Sequence, residues 1–232
     1  MRLHYLPIAA LAVAAATCHA NTLTYFGAGF DIPDMDSSGG SSVIEVLDAG
    51  VLTNVSISIT IKHTFVSDLT ATLQRRPGLN NFGLKQVKLF RLVGYTEPAG
   101  YGDDSDLDGT YVFEDSAIAD FAVTPRMGGV IPQGTYRSST IAIPLTNDIQ
   151  TANPFTSLNA TFGGLDRKGN WELKIDDWDR FEAGSVIEWS LTLTTAQPVP
   201  EPATYALFAG GLLGLTCVLR RRNCDRQPPM SA

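Results

Sequence analysis

The stretch 104–115, DSDLDGTYVFED, carries carboxylates at the spacing of a calcium-binding loop. Asp104, Asp106 and Asp108 stand at positions 1, 3 and 5, a glycine follows at position 6, and Asp115 closes the stretch at position 12. An EF-hand loop uses oxygen ligands at these positions and needs the glycine for its sharp turn. The closing residue is aspartate where the EF-hand has glutamate, and the flanks favour loop and strand over helix. The spacing predicts a Ca²⁺ site outside a helix pair, with a solvated acidic loop as the alternative.

Carboxylates in other predicted turns could join such a site or form one of their own. Several loops of a β-sandwich can meet at one end, where they could supply the roughly six to eight oxygen ligands that calcium prefers. The main candidates, one from each of three turns, are Asp34, Asp68 and Asp176. The sequence leaves open which loops meet, and surface turn chemistry is the alternative explanation for each residue.

Catalytic chemistry is not predicted. His63 is the only histidine outside the first 20 residues, and its position at the end of a predicted strand favours a packed or capping side chain. Residues 21–198 contain no cysteine, and no serine lies in a nucleophile-elbow sequence. We therefore expect a protein that is not an enzyme.

The elements that position these residues are predicted to be strands. In 169–193, GNWELKIDDWDRFEAGSVIEWSLTL, apolar residues recur at every second position on both sides of an acidic turn. This alternation is typical of strands that bury one face. We expect a hairpin in which Trp171 and Trp189 point inward from neighbouring strands, with Ile187 on the same face as Trp189.

Similar short patterns recur through the rest of residues 21–197. A second hairpin is expected from 51–62 and 69–73, whereas 117–123 fits either a strand or a helical turn, and 147–158 a long connection. About eight to ten short strands, with turn signals roughly every 8–12 residues and no helical period, predict an all-β fold. The expected architecture is a jelly-roll-like β-sandwich.

Charge and cysteine content restrict the chemistry of this region. Residues 21–198 carry 22 acidic against 12 basic side chains, a net charge of −10. This balance argues against a nucleic-acid partner, which would require a basic surface. It would keep an exported protein soluble, and some of the carboxylates could also bind cations. Because Cys18, Cys217 and Cys224 all lie outside the region, packing or metal has to hold the fold.

Both ends of the chain are typical of targeting segments. Residues 1–20 combine a basic start, an apolar run and small residues before a cleavage position, as secretory signals do. Residues 198–222 contain a run of about 17 apolar or small residues, near the lower limit for spanning a bilayer. The arginines at its end would hold the tail, 223–232, in the cytoplasm.

Five pieces of the middle region resemble the P domain (P/Homo B domain) found beside the catalytic domain of subtilisin-like proprotein convertases. They are IPD at 32–34, IKHTFVSDL at 61–69, YVFEDSA at 111–117, GTY at 134–136 and the 169–193 sequence. The resemblance implies a P-domain-like β-sandwich at 21–197, often calcium-bound in bacteria, that supports a protease domain. Ser67 stands where the family commonly has glycine. Support of a catalytic domain in cis is not expected, because the sequence contains no protease domain.

The segment 198–222 resembles the PEP-CTERM sorting signal. This signal combines a Pro-Glu-Pro motif, an apolar helix and a basic cluster, here Val199, Pro200, Glu201, Pro202, Arg220, Arg221 and Arg222. The resemblance implies processing by an exosortase in a Gram-negative bacterium that makes exopolysaccharide. A permanent single-pass transmembrane anchor is the alternative.

Together these features predict an exported, non-catalytic, calcium-binding module with a structural or adhesive role. Its precursor would be anchored in the inner membrane and then sorted to the cell surface or an exopolysaccharide matrix. One alternative is a lectin-like module that binds polysaccharide through loop aromatics such as Trp178, Phe181, Tyr95 and Tyr101. The other is a partner that stabilises an exported subtilisin-like protease in trans.

Overall fold

Strands make up most of the part of the chain that the structure describes. The computed structural model describes residues 20–78, 83–95, 102–122, 129–139 and 157–196. The strands in chain order are β1 (Asn21–Ile32), β2 (Gly40–Val46), β3 (Leu52–His63), β4 (Leu69–Arg76), β5 (Lys85–Arg91), β6 (Leu107–Phe113), β7 (Ala119–Asp120), β8 (Gly134–Arg137), β9 (Gly169–Asp177) and β10 (Gly184–Thr195). A 3₁₀ turn, Val66–Asp68, precedes β4, and a short helix, α1 (Leu158–Phe162), precedes β9.

The strands form two sheets. The large sheet has six strands in the order β1-β10-β3-β6-β8-β7, and the small sheet has four in the order β2-β9-β4-β5. Neighbouring strands are antiparallel except for the β6–β8 and β7–β8 pairs, which are parallel. The prediction of an all-β sandwich is confirmed. The contacts group Ala20–Gln197 into one compact unit.

Apolar side chains that alternate along the strands fill the space between the sheets. Ile59 and Trp189 come from the large sheet and Trp171 and Leu173 from the small sheet, and all four are at most 1% exposed. Burial of each such side chain contributes roughly 1.5–3 kcal/mol. Phe162 of α1 packs against Trp171, with ring centroids 5.0 Å apart. The inner faces of the two sheets thus form one continuous core.

Both predicted hairpins are wrong, because their strands lie in different sheets. β9 belongs to the small sheet and β10 to the large one, so the chain crosses the core at the acidic turn between them. In the same way, β3 pairs with β10 and β6, whereas β4 pairs with β9 and β5. Alternation shows which face of a strand is buried but does not identify its hydrogen-bonded partner. The two tryptophans therefore point inward from opposite sheets.

A β-bulge changes the face on which one predicted core residue lies. The pairing of β10 with β3 shifts between Val186 and Glu188. The extra residue reverses the alternation, as bulges do. As a result Val186 is buried at 2% exposure and Ile187 is 60% exposed, which corrects the prediction that Ile187 is inward.

The long connection predicted for 147–158 runs into the short helix α1. The Oγ atom of Ser157 accepts a hydrogen bond of 2.9 Å from the backbone N–H of Ala160, which is the usual N-cap contact. A helix of five residues is too short to give a helical period in the sequence.

In 117–123, the described residues form only the two-residue strand β7.

No helix in the described ranges is long and apolar enough to cross a membrane. The predicted signal peptide, the sorting segment 198–222 and the tail 223–232 lie outside the described residues.

Gly27 makes room for a core tryptophan. It lies opposite Trp189 in the β1–β10 pair, and a Cβ atom at position 27 would overlap the Trp189 indole. Indole and backbone therefore pack more closely than any other residue at position 27 would allow.

We expect Gly27→Ala to lower the free energy of unfolding by roughly 1–3 kcal/mol, because overpacking forces the indole or the strand to shift. Ala28→Ser, on the exposed face of the same strand, is the matched control and should leave it within about 0.5 kcal/mol. Urea unfolding of the fragment Ala20–Gln197 measures both. Equal stability of the two variants would contradict the packing assigned to Gly27.

Candidate functional site

Strand β6 runs through the stretch that was predicted to be a calcium loop. Residues Leu107–Phe113 are extended and pair with β3. A seven-residue strand is about 20 Å long, whereas the ligands of one Ca²⁺ ion lie about 2.3–2.6 Å from it. The carboxylates at 104–108 and Asp115 therefore cannot hold the same ion. Within this stretch the sequence predicts loop as far as Gly109 and a strand over 110–113; the strand is present and begins earlier, at Leu107.

Burial explains why this stretch is a strand. Leu107, Tyr111 and Phe113 alternate with more exposed residues and pack into the core. Gly109 lies among them, and the side chain of Gln133 occupies the place that a Cβ at position 109 would need. The Gln133 Oε1 atom in turn accepts the backbone N–H of Thr110 at 3.2 Å. The glycine that suggested a metal loop allows this close packing instead.

The carboxylates of 104–115 have separate surroundings. Asp104 is exposed, and Asp106 forms an isolated bridge with Val130. Asp108 lies opposite Lys62, with 3.6 Å between its Oδ2 atom and the lysine Nζ. These contacts are those of surface and strand-edge residues.

Asp115 binds the start of α1. Its carboxylate accepts hydrogen bonds from the Ser157 hydroxyl at 2.7 Å and from the backbone N–H groups of Leu158 and Asn159 at 2.9 Å each. The first N–H groups of a helix have no partner within the helix, so a carboxylate stabilises them. The role of Asp115 is therefore to anchor the helix, which the spacing alone did not predict.

A different set of carboxylates meets at the end of the sandwich where β3 and β9 finish. We call this region the acidic end and define it by Asp34, Asp68, Asp177, Asp179 and Glu182. The chain crosses between the sheets twice here, after β3 and after β9. Backbone hydrogen bonds join the loops: the Asp68 carbonyl accepts from Trp178 at 2.9 Å, and the Asp36 carbonyl accepts from Asp177 at 3.4 Å. The turns that carry Asp34 and Asp68 therefore meet, as the sandwich prediction allowed.

His63 forms the buried base of the acidic end. Its Nε2 atom lies 3.1 Å from Oδ2 of Asp177, and neither side chain is more than 1% exposed. Its Nδ1 atom accepts the backbone N–H of Phe65 at 3.2 Å. Because an accepting nitrogen carries no proton, the proton of the neutral ring lies on Nε2 and is donated to Asp177. Both ring nitrogens are thus engaged, and the prediction of a packed histidine is confirmed.

Burial makes two carboxyls at this end resist ionisation. Burial, together with the negative charges of Asp179, Asp177 and Glu182, raises the pKa of Asp68 to about 6, against a hydrogen bond from Ser67. Burial also raises the pKa of Asp177, although the hydrogen bond from His63 opposes this. Within the described residues, no lysine or arginine forms an ion pair with the five carboxylates.

Asp176 does not join this group, which corrects its place among the predicted ligands. Successive side chains of β9 point to opposite faces, so Asp176 faces away from the core while Asp177 faces into it. Asp176 Oδ1 lies 2.6 Å from Lys174 Nζ. The sequence carried a signal for Asp177, because it continues the inward series of Trp171, Leu173 and Ile175.

The acidic end is not a preformed metal site. Over the ranges that the structure describes, no three His, Cys, Asp or Glu side chains are arranged to hold a metal ion.

The residues of the predicted sorting motif, from Val199 to Arg222, lie outside those ranges.

The C-terminal segment is the part of the chain that comparison with known protein families identifies. Residues 198–222 match the PEP-CTERM protein-sorting motif. The match covers the Pro-Glu-Pro motif, the apolar run and the arginines, so this part of the prediction is confirmed. The P-domain resemblance of 21–197 stays a prediction. No curated protein matches the chain.

Two solved structures resemble the fold at low similarity. One is a chain from the crystal structure of an Aeromonas sobria serine protease in complex with a chaperone, with a TM-score of 0.40 and 14% identity over 77% of this chain and 28% of that chain. The other is the Aeromonas sobria serine protease, with a TM-score of 0.38 and 15% identity over 75% of this chain and 27% of that chain. The protein spans little more than a quarter of the length of these chains.

We expect Asp68→Asn to raise the melting temperature at pH 7.5 by roughly 2–4 °C. The folded state holds the Asp68 proton more tightly than the unfolded state, so ionisation destabilises the fold as the pH rises through about 6. The gain should shrink as the pH falls toward 4, where the carboxyl is protonated in the folded state and partly protonated in the unfolded state. Melting curves from pH 4 to 8 measure this.

Asp166→Asn provides a control of opposite sign. Hydrogen bonds from the backbone N–H groups of Gly50 and Lys168 lower the pKa of Asp166. Its replacement should therefore lower the melting temperature at neutral pH. If Asp68→Asn gave the same gain at every pH, the effect would not come from ionisation of the carboxyl.

Proposed function

We propose that this protein is an exported, non-catalytic β-sandwich module that an exosortase processes and delivers to the cell surface. The match of residues 198–222 to the protein-sorting motif carries the proposal. The N-terminal sequence supports export, and the grouping of Ala20–Gln197 into one compact unit supports a module that remains folded after processing. At the surface it would have a structural or adhesive role.

The surroundings of His63 support a non-catalytic role. Its Nδ1 atom is held by a backbone N–H and its Nε2 atom by a buried carboxylate, and the residue is 1% exposed. A general base needs access to the proton that it removes, and this imidazole has no face open to a substrate.

Sorting is tested with the full chain in a Gram-negative host that has an exosortase. An epitope tag placed after Ala232 should be absent from the surface-exposed protein, and a second tag inserted after Ala20 should remain on it. Pro200→Ala combined with Glu201→Ala should leave both tags on a membrane-bound precursor, as should deletion of the exosortase gene. Retention of both tags on the wild-type chain would favour a permanent anchor and overturn the proposal of processing.

We further propose that the module binds Ca²⁺ at the acidic end rather than at 104–115. Asp68 and Asp177 are buried, Asp68 near the negative charges of Asp179 and Glu182 and Asp177 near that of Asp34. A divalent cation would remove this repulsion, and carboxylate and carbonyl oxygens are the ligands that calcium prefers. Because the loops of this end lie at crossings between the sheets, side chains there could close around an ion without a change in the strands.

Calcium should raise the melting temperature of Ala20–Gln197 at pH 7.5 relative to a chelator, because a ligand that binds only the folded state stabilises it. Asp68→Asn and Asp179→Asn should each reduce the shift. Asp104→Asn, in the stretch with EF-hand spacing, is the matched control and should keep it. Equal melting temperatures in calcium and chelator would remove the calcium proposal and leave the sorting proposal standing.

A further inference from the structure

Hydroxyl side chains cover the outer face of the large sheet. We call this the hydroxyl face and define it by the outward residues Thr22, Thr24, Ser56, Ser58, Thr60, Thr110, Ser190, Thr192 and Thr194. The strand registers align them in rows, with Thr24 opposite Thr192 and Thr192 opposite Ser56. The hydroxyls of Thr22 and Thr194, of Thr24 and Thr192, and of Thr60 and Thr110 lie 2.9–3.0 Å apart. They form an ordered polar surface.

An aromatic ring stands on this face. Phe26 is 80% exposed although it lies in the middle of a twelve-residue strand, and it lies opposite Ser190, which in turn lies opposite Ser58. An outer sheet face is normally polar, so hydroxyl side chains are expected there. The exposed phenylalanine lies among these hydroxyl side chains, so an apolar ring surface stands beside hydrogen-bonding groups.

A shallow depression of about 100 Å³ adjoins this ring. Its lining includes Phe26, Ser58, Thr60, Glu188 and Ser190. Among the residues that the structure describes, the Glu188 carboxylate has no ion-pair partner, and the hydroxyls of Ser58 and Ser190 have no hydrogen-bond partner. Glu188, which follows the β10 bulge, is part of this lining. The depression thus offers an aromatic face, free hydroxyls and a free carboxylate together.

We propose that the hydroxyl face is a binding site for a neutral polysaccharide, with Phe26 as its stacking platform. A sugar ring has an apolar C–H face that packs on an aromatic ring, and an edge of hydroxyls that donate and accept hydrogen bonds. Ser58 and Ser190 can do both, while Glu188 can accept from two neighbouring sugar hydroxyls at once. Charge-assisted hydrogen bonds of this kind are the stronger ones.

The dimensions of the sheet suit a chain rather than a single sugar. Neighbouring strands lie about 4.8 Å apart, and residues on one face of a strand are spaced by about 6.8 Å. Rows of hydroxyls therefore continue beyond the depression, from Thr192 to Thr194 and from Thr24 to Thr22. Further sugar units of one chain can contact these rows.

Charge selects a neutral chain over an acidic one. Residues 21–198 carry a net charge of −10, and the carboxylate in the depression has no cation beside it. A polymer of uronic acids would be repelled both at long range and at Glu188. The proposal uses none of the residues of the acidic end, so it does not depend on calcium binding.

Affinity electrophoresis tests the site on the full chain in a detergent without sugar groups, and on Ala20–Gln197. The probes are dextran, a soluble β-1,3-glucan and galactomannan, with polygalacturonate as the acidic comparison. We expect at least one neutral polymer to retard the wild-type protein and polygalacturonate not to retard it. Phe26→Ala should weaken that affinity at least fivefold, Glu188→Gln should weaken it less, and Phe26→Tyr should retain it.

The matched control is Phe181→Ala, which removes an equally displayed phenylalanine, 89% exposed, in the turn after β9. It should bind like the wild type, and the melting temperatures of all the variants should agree. Three results would overturn the proposal: no retardation by any neutral polymer, retention of affinity in Phe26→Ala, or loss of affinity in Phe181→Ala. The last would place the site on the loop aromatics instead.

Discussion

Side-chain packing between the two sheets is the constraint on which the rest of the structure depends. Hydrogen bonds hold each sheet together internally, and the sheets face each other mainly through apolar side chains, with the His63–Asp177 hydrogen bond at one end. Residues 21–198 contain no cysteine, so no disulfide can link the two sheets. The connections from β3 to β4 and from β9 to β10 pass from one sheet to the other at the end of this core. The close approach of Gly27 to Trp189 shows how little free space remains there.

The same constraint accounts for the polar chemistry of the acidic end. At each crossing the chain leaves one sheet before it joins the other. Polar side chains at the ends of the strands therefore lie next to the core. Asp177 and His63 are buried in this way, and their mutual hydrogen bond reduces the cost of burial. Asp68 accepts a hydrogen bond from the Ser67 hydroxyl, which only partly offsets burial, and its pKa is raised. The site is thus a consequence of topology as much as of composition.

Alternation in the sequence predicted most of the strands and the two-layer architecture, since a period of two follows directly from strand geometry. Pairing was not predictable, because Trp171 and Trp189 have the same pattern whether their strands are neighbours or face each other. The bulge at Ile187 was also hidden, because a single inserted residue leaves the composition unchanged. For the candidate site, the sequence predicted turns at Asp34 and Asp68, and the structure places both turns at the acidic end. In 104–115 the strand begins at Leu107, earlier than the turn signal at Asp108 and Gly109 indicated, because Leu107 is buried together with Tyr111 and Phe113.

The position of β10 has a mechanical consequence. The chain leaves the sandwich at Thr195, roughly 36 Å along the strand from Gly184. β10 lies between β1 and β3 and is hydrogen-bonded to both over most of its length. A pull on the chain beyond Thr195 against the body of the sandwich loads these two ladders at the same time, in shear. Their bonds then resist together instead of opening one by one, so the strand that leads to the sorting segment is well placed to bear tension.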